Sequence, residues 1–182
     1  MLRSIVLMGL RGSGKSTVGP MLAKSLNFDF QDLDEAVLND SSFGSIADIV
    51  RSEGWDGFRA REREQLEVWL WALDTLPERR LVLALGGGTP THEPSRALLQ
   101  SAELHGIVAS VYLRATPETL AKRMAASPDR PSLTGKDPIE EIRDIFNQRD
   151  ELYRSIADAV IDIDTLDEAE TVTAIESALQ QL

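Results

Sequence analysis

Short apolar runs and stretches of helical period alternate along the whole chain. Runs rich in Val, Ile, Leu or Phe lie at 3–8, about 28–32, 81–85, 107–113 and 159–163, each the length of a buried strand. Between them, apolar residues recur at three-to-four spacing near 16–26, 34–40, 45–53, 56–75, 95–104, 117–126, 138–157 and 167–181, which predicts helices. Strand-sized runs that are apolar throughout belong to a parallel sheet buried on both faces. The expectation is a three-layer α/β fold with five parallel strands. In such sheets ligands bind beyond the carboxyl ends of the strands, so the residues just after each run are the candidates for chemistry. Val172, Ile175, Leu179 and Leu182 form a packing stripe on the last helix. Pro20 removes a backbone donor about one turn into the first helix and predicts a slight bend there.

The first such position is the most informative. Gly9-Leu10-Arg11-Gly12-Ser13-Gly14-Lys15-Ser16 fits every fixed position of the phosphate-binding loop G-x-x-x-x-G-K-[ST]. It follows the run Ile5–Met8 and precedes a helix marked by Val18, Leu22 and Leu26, the context that gives the motif its mechanism. Glycines let consecutive N–H groups face one anion, and the helix N-terminus adds partial positive charge. Gly12, Ser13, Gly14, Lys15, Ser16 and Thr17 are therefore the expected triphosphate site. Lys15 would reach the β- and γ-phosphates, and the Ser16 hydroxyl would bind Mg²⁺.

Composition narrows the remaining choices. The chain has 182 residues, the size of one domain. Its net charge of −11 argues against a nucleic-acid surface. There is no cysteine, which excludes disulfides and thiolate metal sites. No stretch approaches a membrane span, and the first apolar run is cut too early by the glycine loop to be a signal peptide. A cytoplasmic, monomeric enzyme binding small molecules, neither nucleic acid nor membrane, is the expectation.

Four further constellations follow the strands or interrupt apolar stripes. Asp32 and Asp34 lie two apart after the second run, so on an extended segment both face one side. Asp32 suits the Mg²⁺ shell through water and Asp34 an acceptor hydroxyl; a solvated turn with a capping Asp34 is the alternative. In the 56–75 helix, Leu66, Trp69, Leu70 and Leu73 define an apolar face on which Glu62 and Arg59 also fall, beside Phe58, while Trp71 lies off it. Arg149 interrupts the stripe of Ile142, Ile145, Phe146, Leu152, Tyr153 and Ile156. An arginine so placed needs an anion, either an internal carboxylate or a ligand. Together Arg59 and Arg149 would suit bidentate capture of a small carboxylate. Gly86, Gly87 and Gly88 end the third run, where a backbone can approach a ligand closely, or where the chain is merely loose. Residues 127–138, with three prolines, read as a surface loop able to close as a lid, carrying Arg130 toward the transferring phosphoryl group. His92 and His105 are isolated and lack metal-ligand spacing.

The ordered set Gly9–Thr17, Asp32-Leu33-Asp34, Gly44–Ile49, Phe58-Arg59 with Glu62, Gly86–Gly88, Arg130-Pro131 and Arg149 with Leu152-Tyr153-Arg154 resembles shikimate kinases nearly end to end. The resemblance implies one P-loop NTPase-type domain over 1–182, with sheet order 2-3-1-4-5. It also implies an acceptor-binding region at about 33–61 and a mobile lid at about 125–138. The implied reaction is phosphorylation of the 3-hydroxyl of shikimate by ATP with Mg²⁺, on the route to chorismate and the aromatic amino acids. Lys15, Asp34 and Arg130 would be catalytic, and Arg123 would pack on adenine. Asp34, Arg59, the glycine triplet and Arg149 would hold shikimate, and Ser16 and Asp32 would serve the metal. Three departures stand out. Gly54-Trp55 replaces the usual Gly-Glu, leaving Glu62 as the carboxylate beside Arg59. The stretch Asn39–Gly44 is about one residue longer. Ser132 follows Pro131 where an apolar residue is common. A gluconate-type kinase and a catalytically silent nucleotide-binding protein remain the alternatives.

Overall fold

The computed structural model describes residues 3–76, 78–125 and 138–182. Strands β1 (Ser4–Met8), β2 (Asp29–Asp32), β3 (Leu81–Ala84), β4 (Val108–Arg114) and β5 (Ala159–Asp162) form one sheet in the order β2-β3-β1-β4-β5. Every pairing is parallel, with Ile5 opposite Val82 and Ala109, and Tyr112 opposite Val160. The three inner strands are buried almost throughout, whereas β2 and β5 at the edges carry exposed positions. That difference is why the inner runs are continuously apolar and the outer ones are mixed.

Helices α1 (Lys15–Leu26), α2 (Leu33–Asn39), α3 (Ile46–Thr75), α4 (Glu93–Leu104), α5 (Pro117–Ala125), α6 (Pro138–Ile156) and α7 (Glu168–Leu179) connect or cover the strands. One core gathers Leu22, Val111, Tyr153 and Ile175 on one face of the sheet, and a second gathers Met8, Leu66, Leu70 and Leu99 on the other. A third, smaller cluster of Val37, Ile49 and Phe58 holds α2 against α3. This satellite fixes the segment expected to bind the acceptor.

The two helices expected at 45–53 and 56–75 form one span, broken at Gly54, whose backbone is not helical (φ 74°, ψ 178°). Arg61 clips the break by a two-pronged ion pair to Glu53, both bonds 2.7 Å. Pro20 sits inside α1. On α7, Val172 and Ile175 are buried, as the stripe predicts, whereas Leu182 lies beyond the helix and is exposed. Arg130 and most of the proposed lid lie outside the described residues.

Candidate active site

The loop Gly9–Gly14 joins the end of β1 to the start of α1, at the carboxyl edge of the sheet. Gly14 caps α1 with φ 87°, a left-handed conformation that side chains resist. That conformation turns the chain so the open N–H groups of the first helical turn face the loop. Lys15 is buried, and its ammonium donates to the carbonyls of Gly9 (2.8 Å) and Leu10 (3.2 Å). It therefore lies along the inner rim of the loop. Arg123 of α5 donates to the Ile163 carbonyl at 3.3 Å and flanks Gly14, so it borders the loop beyond β5.

The Ser16 hydroxyl donates to Asp32 Oδ2 at 2.7 Å, and Asp32 Oδ1 accepts the Asp34 N–H at 3.0 Å. This corrects one sequence expectation. The two aspartates do not share an extended segment: Asp32 ends β2 and caps α2, while Asp34 lies in the first turn of that helix. They are close because the helix begins between them. A capping carboxylate at the N-terminus is favourable, which explains the abrupt strand-to-helix change.

The glycine triplet follows β3 and is crowded by charged groups. A Cβ at Gly86 would lie 2.3 Å from Glu62 Oε1 and 2.8 Å from Asp34 Oδ1; one at Gly88 would lie 2.2 Å from Arg59 Nη2. Only glycine leaves room for this approach. Glu62 is fully buried and accepts from the Arg59 guanidinium and, at 2.7 Å, from the Thr89 hydroxyl. Arg59 also lies 5.7 Å from the Trp55 ring centroid and 5.3 Å from that of Phe58. Its orientation is thus set by one carboxylate and two aromatic faces. Trp55 thus supports Arg59 through its ring face rather than through a second carboxylate.

Arg149 donates to the Gly87 carbonyl at 2.8 Å, and the Tyr153 hydroxyl donates to the same oxygen at 2.9 Å. The other side of Gly87 meets the phosphate loop: a Cβ there would lie 3.0 Å from the Arg11 amide nitrogen. Burial pushes the Tyr153 phenol up to about 12, with Arg149 and Arg59 opposing the rise. The hydroxyl therefore stays protonated and serves as a donor. No ion pair joins Arg149 to a carboxylate among the described residues, whereas Arg59 has Glu62.

Asp34 is the site's most perturbed carboxyl. Burial, then repulsion from Glu62 and Asp32, pushes it up to about 6 against the pull of Lys15 and Arg59. Its Oδ1 is buried and has no hydrogen-bond partner among the described residues. A carboxylate so placed can accept a proton near neutral pH, or bind a hydroxyl donor. Lys15, Ser16, Asp32, Asp34, Arg59, Gly86–Gly88 and Arg149 all meet at this one edge, as the sequence predicts; Arg130 falls outside the described residues. Sequence reasoning missed Tyr153 and Thr89 as site members. Tyr153 did leave a signal, because a tyrosine in an apolar stripe needs a partner for its hydroxyl.

Comparison with known proteins bears on this geometry. Residues 11–180 match the family described as Shikimate kinase. Shikimate kinase 2 of Yersinia pestis (strain Pestoides F) is 41% identical over 165 residues, covering 89% of this chain and 87% of its own. Shikimate kinase 2 of Syntrophotalea carbinolica is 38% identical over 184 residues, covering 100% of this chain and 99% of its own. Among solved structures, the shikimate kinase from Acinetobacter baumannii in complex with shikimate superposes with a TM-score of 0.85 at 31% identity, covering 100% and 94% of the two chains. A gluconokinase from Sinorhizobium meliloti shares the fold at 23% identity, with a TM-score of 0.61 over 98% and 92% of the chains.

Proposed function

The chain belongs to the shikimate kinase family, and from that premise we propose that it transfers the γ-phosphoryl group of ATP to the 3-hydroxyl of shikimate. The observation that carries the reading is the Gly87 contact. One residue accepts Arg149 and Tyr153 through its carbonyl while its other side abuts the backbone of the phosphate loop. The cations suited to an acceptor carboxylate and the cradle suited to a triphosphate therefore lie side by side, with Gly87 between them.

In-line phosphoryl transfer demands positioning and charge neutralisation more than covalent chemistry. Arg59 and Arg149 would grip the shikimate carboxylate, fixing the ring so that a hydroxyl faces Asp34. Asp34 would accept that hydroxyl's hydrogen bond and, when ionised, its proton. Loop amides and Lys15 would hold the triphosphate and oppose the charge that builds on it. Arg130 and Arg123 are proposed to contribute at the phosphates and the adenine. The Ser16 hydroxyl and Asp32 carboxylate, 2.7 Å apart, form the oxygen-only donor set that Mg²⁺ prefers. When bound, Mg²⁺ supplies charge neutralisation and orientation of the phosphates. Among the described residues, no helix is long and apolar enough to cross a membrane.

Arg59→Ala tests the acceptor half of this reading. Loss of a charge-assisted contact should raise the shikimate KM about 10–100-fold, with the ATP KM within about twofold. That substitution also strands Glu62, which is fully buried, so Arg59→Lys is the companion: it keeps the charge and loses the fork. Steady-state kinetics with each substrate varied in turn gives the split. Equal rises in both KM values would remove Arg59 from the acceptor site.

A further inference from the structure

Next to Arg149 in the chain, Asp150 serves a contact that the chemistry above does not use. Its Oδ1 accepts from the Tyr112 hydroxyl at 3.0 Å and from Arg114 Nε at 2.8 Å, and its Oδ2 from Arg114 Nη2 at 3.3 Å. Arg154, one turn on, approaches the same Oδ2 at 4.0 Å. Arg114, at the end of β4, also bonds Asp162 of β5 at 2.9 Å, and lies 5.2 Å from the ring centroid of Phe146, one turn back on α6. The Tyr112 ring packs edge-on against Tyr153, centroids 5.4 Å apart, and both tyrosines are almost completely buried.

These contacts occupy two turns of one helix and face two ways. Neighbouring helical residues project about 100° apart, so Asp150 is drawn to β4 while Arg149 and Tyr153 reach Gly87. Fixing both directions fixes the rotation of α6 about its axis and its height along the sheet. A helix held on the Gly87 side alone could roll, and a long arginine would magnify that roll at its guanidinium.

We propose that Asp150, gripped by Arg114 and Tyr112, is a positioning residue for acceptor binding, setting α6 so that Arg149 and Tyr153 both reach the Gly87 carbonyl. Asp150 itself touches neither substrate. The inference rests on the acceptor reading given above, because it concerns how that site is held.

The test is steady-state kinetics and thermal unfolding of Asp150→Ala, Asp150→Asn and Tyr112→Phe. Misplacing a substrate-binding group by about 1 Å can cost on the order of 10²-fold, so Asp150→Ala should raise the shikimate KM at least about tenfold, with the ATP KM within about twofold. Asp150→Asn keeps an acceptor oxygen and should recover part of the loss. Tyr112→Phe keeps the ring, removes one clamp bond, and should give a smaller shift in the same direction. If Asp150→Ala does not fold, the other two variants carry the test. A lowered Tm with shikimate KM unchanged, or with both KM values raised alike, would reduce Asp150 to a structural ion pair and overturn the proposal. A wild-type enzyme without shikimate-dependent turnover would overturn the functional reading and this inference with it; an active wild type with unmoved variants overturns the inference alone.

Discussion

Asp34→Asn should lower kcat by about 10²–10⁴-fold, the range for a positioned general base, while making the fold more stable at neutral pH. Both effects come from one cause. The carboxyl is buried beside Glu62 and Asp32 and is pushed up to about 6 from an ordinary value of 3.8. A raised folded-state pKa contributes stability below pH 3.8 that is lost as the pH rises through 6. At pH 7 the ionised group therefore opposes folding, by about 3 kcal/mol for a shift of this size. Asparagine removes that charge. The gain in Tm should be present at pH 7.5 and vanish near pH 4. Activity runs the other way, because the base must be ionised: kcat/KM of the wild type should fall with an acid limb near pH 6. A variant within about tenfold of the wild type, with no acid limb in the wild-type profile, would assign Asp34 to orienting the hydroxyl alone.

The second large effect falls on the phosphate side. Lys15→Ala should lower kcat by on the order of 10²–10³-fold, as for removal of a preorganised group that stabilises transition-state charge. Lys15 is held within the loop by the Gly9 and Leu10 carbonyls, so its ammonium is already placed and little reorganisation precedes the reaction. Arg59 and Arg149, proposed to hold the acceptor, sit on other elements, so shikimate binding, measured by calorimetry without nucleotide, should change by less than about threefold. A variant that binds shikimate normally and keeps its kcat would remove Lys15 from the transition state.

Much of this site is legible in the residues alone, for identifiable reasons. The phosphate loop is local: its glycines, lysine and serine act within one turn and one helix end, so spacing suffices. Arg59 and Arg149 show because a guanidinium on an apolar stripe contradicts the hydrophobic pattern. The strand runs show because both faces of β1, β3 and β4 are covered. Contacts between distant segments were not readable. Nothing near Tyr153 says that its hydroxyl meets Gly87, 66 residues away, or that Asp150 meets Arg114, 36 residues away. Such pairings follow from strand order, which no single segment encodes. The Asp32–Asp34 pair reads as one extended segment for a local reason. A strand and a helix meet between them, and either period fits three residues. The break in α3 is legible by contrast, because a glycine separates the helical patterns at 45–53 and 56–75 and Gly54 leaves the helical region there.

On the proposed reading, an acceptor carboxylate held by Arg59 and Arg149 lies beside a triphosphate held by the loop, with Gly87 between them. ADP release measured with a panel of hydroxy acids, shikimate and gluconate among them, with and without Mg²⁺, tests it most directly. The expected result is Mg²⁺-dependent ADP release with shikimate, one ADP per phosphate ester formed, and little release with gluconate. Gluconate turned over as fast as shikimate, or ADP released at the same rate with no acceptor present, would contradict it.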